Sequence, residues 1–358
     1  MVMALAAAAS YAVLERPWQA ADEPARATLA DASVEAGPAL RTTATPGTPG
    51  LPRRLGHGRV ATPPATPAPS PEAQTAVNEG ELAVKVLRYS VEGCGSPRVY
   101  GDSIESFETD QGTRSYRLHI PPAYERATPT AVVINYHGYA RTAIEQETYS
   151  GLAPLSDREG FLLVTPEGSG YPQAWDIPGI YAENGFDDVN FTVLLIAQLS
   201  STVCIDLDRI FATGMSNGGE MAALVGCREP ALFAAVAPVA GVIYDACDEG
   251  TMPVITFHGT EDYNVPFEIA PGAVQSWAIH NGCSLERAEE AITERVTLER
   301  YGGCTSGADV VFYVIFGGGH TWPGAEDDSG GVGPTTHDIS ASELMWEFFK
   351  AHPRPAVD

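Results

Sequence analysis

Five residues, Gly214-Met215-Ser216-Asn217-Gly218, constrain this chain more than any other feature of it. They read G-x-S-x-G, directly after the apolar run 209–213 (RIFAT) and directly before the helix-period segment 218–227. Taken alone, the pentapeptide arises by chance. Between a strand and a helix it specifies a sharp turn whose serine adopts a strained backbone, made sterically possible by the flanking glycines. Such a turn lifts the Ser216 hydroxyl into solvent and aims the next helix's amino terminus at developing negative charge. A plain glycine turn is the alternative reading of GMSNGG.

The rest of the chain supplies the sheet that such a turn needs. Short apolar runs rich in β-branched residues lie at 131–136 (AVVINY), 161–165 (FLLVT), 209–213, 233–238 (FAAVAP), 254–257 (VITF) and 310–316 (VVFYVIF). Near-continuous apolarity in runs this short suits strands covered on both faces, as in a mainly parallel sheet. Between them the periodicity predicts helices over 188–200, 218–227, 270–281 and 339–351. In the first of these, Val189, Val193, Ile196 and Ala197 form one stripe. The alternating run 115–120 (SYRLHI) reads as an antiparallel strand at the sheet's start. Strands alternating with helices give an α/β sandwich, with chemistry in the loops at the strands' carboxyl ends.

A serine hydroxyl is a poor nucleophile. It needs a base, and the base an orienting carboxylate, in the chain order Ser, then Asp or Glu, then His. Asp262 follows VITF in His258-Gly259-Thr260-Glu261-Asp262, with Glu261 as its competitor. Of the later histidines, His280 falls in a predicted helix and His352 in the tail. His320 follows VVFYVIF through Gly317-Gly318-Gly319, a loop free to bring an imidazole to Ser216, and His337 is the runner-up. The oxyanion of an acyl-transfer intermediate needs amide donors. Those of Asn217 and Tyr139 are expected, the latter in the loop His137-Gly138-Tyr139, which His137 should hold in shape. Trp175 and Trp322 are expected on the same rim, as flat surface for an aromatic acyl group, a sugar or a polyester chain. Ordinary loop anchoring is the alternative for each. Asp187 and Asp188 invite a metal reading, against which helix capping is favoured. With no H-E-x-x-H, P-loop or dinucleotide fingerprint, neither metal nor cofactor is implied.

Charge and composition limit the partners. Asp plus Glu number 46 against 21 Lys plus Arg, a formal charge of −25. So acidic a surface repels phosphate backbones and anionic headgroups, which disfavours nucleic acid and membrane as partners. No apolar run nears the roughly 20 residues of a membrane-spanning helix. The first 80 residues hold 11 of the 28 prolines, and 42–71 reads as an extended, solvated linker. The expected division is a leader over 1–80 and a catalytic domain over 81–358. Residues 1–14 (MVMALAAAASYAVL) resemble the apolar core of a secretory signal or the end of an anchor, without the usual basic flank. Secretion, or tethering at the cell surface, is therefore expected. The six cysteines form no C-x-x-C pair, and an even count with export favours disulfides. Cys283 with Cys304 is the first pairing expected, and Cys204 with Cys247 the second.

In order along the chain, RSYRLHIPPAY, VVINYHGY, GFLLVTPEG, DRIFATGMSNGGEMAALVGC, LFAAVAPVAG, VITFHGTEDYNVP and GGGHTWPG resemble one family. It is the polyhydroxybutyrate depolymerase and feruloyl esterase group of α/β-hydrolases, related to carbohydrate esterase family one. The resemblance runs from about Tyr89 to Lys350. It implies an α/β-hydrolase fold, with a mainly parallel central sheet flanked by helices. It also implies a serine carboxylesterase with Ser216 as nucleophile, Asp262 as acid and His320 as base, and Trp322 beside the base lining the acyl site. Loops of the family often read HGC or HGG where this chain has His137-Gly138-Tyr139, so a bulky Tyr139 would narrow or line the acyl pocket. The implied substrate is a feruloyl or similar aromatic ester on plant polysaccharide, with a polyester such as polyhydroxybutyrate as the near alternative. Acyl transfer or peptide hydrolysis on the same fold is more distant. The intact Ser216, Asp262 and His320 set argues against a non-catalytic surface protein.

Overall fold

The computed structural model describes residues 92–354 except 181–184, 245–246, 248–249 and 328–329. The leader, with its signal-like segment and linker, lies outside the described residues. Ten strands form one sheet: β1 (Gly101–Thr109), β2 (Gly112–Ile120), β3 (Thr130–Tyr136), β4 (Leu162–Pro166), β5 (Ile205–Met215), β6 (Ala235–Val239), β7 (Val254–Gly259), β8 (Ala288–Ala291), β9 (Val296–Tyr301) and β10 (Val310–Ile315). Their spatial order is β1-β2-β4-β3-β5-β6-β7-β10-β9-β8. Neighbours from β4 through β10 in that order pair parallel, and the outer strands on both sides pair antiparallel.

The parallel strands are largely apolar, apart from the exposed start of β5, because both sheet faces are covered. Along β10, Val310, Phe312 and Val314 join one core cluster, while Val311, Tyr313 and Ile315 join the other. That is the two-residue period of a strand serving two cores at once. The first core is closed by Phe191 and Leu195 of α3 (Asp188–Thr202), Met221 and Leu224 of α4 (Asn217–Arg228), and Val274 and Trp277 of α5 (Ala270–His280). The second is closed by Tyr149 of α1 (Ala143–Ser150), Leu155 of α2 (Leu152–Glu159), and Met345 and Phe349 of α6 (Ala341–Ala351). The sandwich expected from the sequence is thus observed, with helices on both faces of a mainly parallel sheet.

Sequence periodicity missed five elements, for different reasons. β9 (VTLERY) buries only Val296, Leu298 and Tyr301, a short alternation interrupted by charge. β1 and β8 are edge strands of largely exposed, polar sequence (GDSIESFET, AEEA), so neither has an apolar side to detect. Helices α1 and α2 have eight residues each, too short for a clear stripe. A signal for α1 was nonetheless present: Thr142 and Glu145 form a capping box. Asp187 caps α3 by accepting from the Asn190 amide at 2.9 Å, while Asp188 accepts from Arg114 at 2.9 Å.

Three disulfides join Cys94–Cys204, Cys227–Cys247 and Cys283–Cys304. The expected Cys283–Cys304 bond is present, but Cys204 does not pair with Cys247. The Gly93 amide donates to the Ser200 carbonyl at 2.9 Å, which lays Cys94 over the end of α3 beside Cys204. Cys247 instead reaches the carboxyl end of α4, where Cys227 lies.

Candidate active site

Ser216 stands between β5 and α4 with φ 57° and ψ −125°, a conformation that costs a non-glycine residue about 1–3 kcal/mol. The neighbouring backbone enforces it. The Ser216 amide donates to the Val239 carbonyl at 2.9 Å, and a Cβ on Gly214 or Gly218 would lie inside van der Waals contact with the Tyr136 carbonyl. Gly241 comes equally close to the Ser216 backbone. Main chain packed this tightly leaves room for a side chain at Ser216, which remains partly exposed between buried neighbours.

Asp262 follows β7 and is buried. Its Oδ1 accepts from the amides of Asn264 at 3.0 Å and Val265 at 2.9 Å. Its Oδ2 faces Nδ1 of His320 at 2.7 Å and Nε2 of His258 at 3.3 Å. Burial by itself would raise the carboxyl's pKa. The hydrogen bonds from His258, His320 and the Val265 amide, with the imidazole charge, outweigh it and hold the group well below the usual carboxylate range. A carboxylate so held accepts the hydrogen bond of His320 Nδ1–H, which keeps the proton on Nδ1 and leaves Nε2 free to accept one. Glu261 is exposed and meets the loop carrying His320 through its amide, which donates to the Gly318 carbonyl. The loop carrying His320 is pinned from both sides: Gly317 donates to Thr260 Oγ1 at 2.9 Å, and His320 and Val332 exchange main-chain hydrogen bonds at 2.8 Å. His337 is exposed.

The carboxyl ends of β5, β7 and β10 therefore converge. Ser216 and His320 both line a cleft of about 480 Å³, together with Gly138, Tyr139, Arg141, Tyr149, Tyr263 and Val332. A Cβ on Gly138 would stand 3.7 Å from the Ser216 Cβ, so the 137–139 loop lies against the serine. His137 holds that loop. Its Nδ1 donates to the Gly138 carbonyl at 2.8 Å, and its Nε2 accepts from the Gly168 amide at 2.8 Å. Burial pushes its pKa down to about 4, so the ring is neutral in both roles.

Trp175 and Trp322 are not on the rim. Both are fully buried, at 0% and 1% exposure. Indole Nε1 of Trp175 donates to the His137 carbonyl at 2.8 Å, and that of Trp322 to Ser342 Oγ at 3.0 Å. An indole has one donor, and here each donor is satisfied inside the protein, so the rings support loops from below. The aromatic surface of the cleft comes from tyrosines instead. Tyr139 is 48% exposed and Tyr263 is 84% exposed. Tyr263 adjoins Asp262 in sequence, a neighbour that the sequence pattern did not single out, and it lines the cleft.

The family model described as esterase PHB depolymerase matches residues 114–265, which include Ser216 and Asp262 and stop short of His320. A putative esterase, NocK, from Nocardia uniformis subsp. tsuyamanensis is 30% identical over 277 residues, 66% of this chain and 79% of its own length. Feruloyl esterase D of Neurospora crassa is 28% identical over 273 residues, 72% of this chain and 89% of its own. Among solved structures, acetyl xylan esterase from Aspergillus awamori superposes with a TM-score of 0.53 at 17% identity, over 69% of this chain and 99% of that one. At that identity the likeness concerns the fold, which is that of α/β-hydrolases.

Proposed function

Since this chain belongs to the esterase PHB depolymerase family and is a carboxylic ester hydrolase, we propose that it cleaves esters through an acyl-enzyme on Ser216. The observation that carries the reading is that His320, bound through Nδ1 to Asp262, shares one cleft with Ser216. His320 Nε2 takes the Ser216 proton as Oγ attacks the ester carbonyl, and Asp262 steadies the imidazolium that results. The amides of Tyr139 and Asn217 receive the oxyanion, aided by the amino terminus of α4. Collapse returns the proton from His320 to the departing alcohol. Water, deprotonated by the same imidazole, then hydrolyses the acyl-enzyme and restores Ser216.

The acyl group we assign is feruloyl or a similar hydroxycinnamoyl group on plant polysaccharide. The exposed rings of Tyr139 and Tyr263 at the cleft mouth support a flat aromatic substrate, as does the relative named feruloyl esterase D. Polyhydroxybutyrate or a related polyester is the second reading, favoured by the family model's own description. Disulfides in all six cysteines support export. The test is hydrolysis of methyl ferulate and of a soluble 3-hydroxybutyrate oligomer by the full chain, with Ser216→Ala as control. Preference for ferulate is expected, with a loss of about ten-thousandfold or more in the variant. Preference for the oligomer makes the protein a polyester depolymerase, and activity surviving in Ser216→Ala overturns the nucleophile.

A further inference from the structure

Helix α4 carries a carboxyl among residues that are otherwise small or apolar. From Asn217 to Cys227 every residue is buried, and Glu220 is 3% exposed. Its amide closes the first turn on the Ser216 carbonyl at 2.9 Å, and its Oε2 has no hydrogen-bond partner. Burying a carboxyl with an unpartnered oxygen is costly, and a fold that keeps one does so against its own stability.

What Glu220 does touch leads to the oxyanion site. Its side chain adjoins that of Asn217, whose amide favours the ionised carboxyl. The Asn217 amide group clasps the main chain of Trp175 from both sides, accepting from its N–H at 2.7 Å and donating to its carbonyl at 3.1 Å. Trp175 in turn donates to the His137 carbonyl at 2.8 Å, and the His137 ring fixes Gly138. A run of hydrogen bonds thus connects Asn217, beside Glu220, to the loop bearing Tyr139. Among the described residues, no other charged group takes part. Helix α4 packs against β3, β5, β6 and α3. Of the titratable groups near the Ser216 end of these elements, Tyr136 is bonded to Thr192, Asp188 to Arg114, and His137 to Gly138 and Gly168. Strand β6 carries none, and Asp206, Asp208 and Arg209 lie at the opposite end of β5.

We propose that Glu220 is a positioning residue for the oxyanion site. Its side chain braces Asn217, and through it Trp175 and the 137–139 loop, and its ionisation lowers activity by placing a negative charge one helical turn along α4 from the Asn217 amide. Burial pushes its pKa up to about 7, with the Asn217 amide acting the other way, so the change falls in the working range. The proposal rests on the reading of Ser216 as nucleophile.

The experiment is the pH dependence of kcat for 4-nitrophenyl butyrate, from about pH 5 to 9, in the full chain and in Glu220→Gln and Glu220→Ala. In the unaltered protein an alkaline fall of about tenfold is expected, with its midpoint near 7. Glu220→Gln cannot ionise, so the midpoint should move up by at least about one unit. Glu220→Ala should lower kcat by about tenfold at every pH, because Asn217 loses its brace. An alkaline limb in Glu220→Gln at the original midpoint overturns the proposal, and so does an alanine variant with unaltered kcat. If the alanine variant does not fold, the glutamine variant decides. Failure of the nucleophile reading is separate, since it shows as activity remaining in Ser216→Ala.

Discussion

Asp262 and Glu261 are adjacent carboxylates with opposite fates. The first is buried and accepts from two amides and His320, and the second is exposed. Desolvation alone would neutralise a buried acid, so it is the number of donors aimed at Asp262 that keeps it charged. The aromatic side chains divide in the same way. Trp175 and Trp322 have donors satisfied within the fold and are buried, while Tyr139 and Tyr263 face the cleft. Tyr263→Ala is therefore expected to raise KM for methyl ferulate about three- to tenfold and to leave kcat within about twofold, the signature of lost ground-state binding. Steady-state kinetics check this, and an unchanged KM would remove Tyr263 from the acyl site.

The strand–turn–helix around Ser216 works because three main-chain segments meet where no side chain fits. A Cβ on Gly218 would penetrate the Tyr136 carbonyl, whereas one on Gly138 would meet Met215 O at 3.4 Å, an ordinary contact. Gly218→Ala is expected to destabilise the protein by several kcal/mol, roughly 3 or more, because backbone has to move to admit it. Gly138→Ala should fold with a thermal midpoint within about 3 °C of the unaltered protein. Thermal unfolding followed by circular dichroism distinguishes the two. Equal midpoints would mean that the β5–α4 junction is looser than its contacts indicate.

Across the whole molecule, the disulfides differ in what they constrain. Cys94–Cys204 spans 110 residues and ties the segment before β1 to the start of β5, while Cys227–Cys247 and Cys283–Cys304 span 20 and 21. By chain entropy the long loop contributes about 4–5 kcal/mol and each short one about 3. The double variant Cys94→Ser/Cys204→Ser should thus lose about 10 °C in thermal midpoint, and Cys283→Ser/Cys304→Ser less. Differential scanning calorimetry of both variants tests the order, and the reverse order would show that strain or residual unfolded structure outweighs loop length.

What the sequence by itself determined is whatever has a short-range physical signature. Runs such as AVVINY and VVFYVIF had to be strands buried on both faces, and GMSNGG between RIFAT and a helix had to be a constrained turn exposing Ser216. The order Ser216, Asp262, His320 followed from which loops leave the carboxyl ends of strands. The tertiary structure decided matters that depend on which surfaces meet. It put Trp175 and Trp322 beneath the loops, joined Cys204 to Cys94, and left Glu220 buried with an oxygen unpartnered. A side chain's burial and partners are set by segments far away in sequence, and no local pattern encodes them.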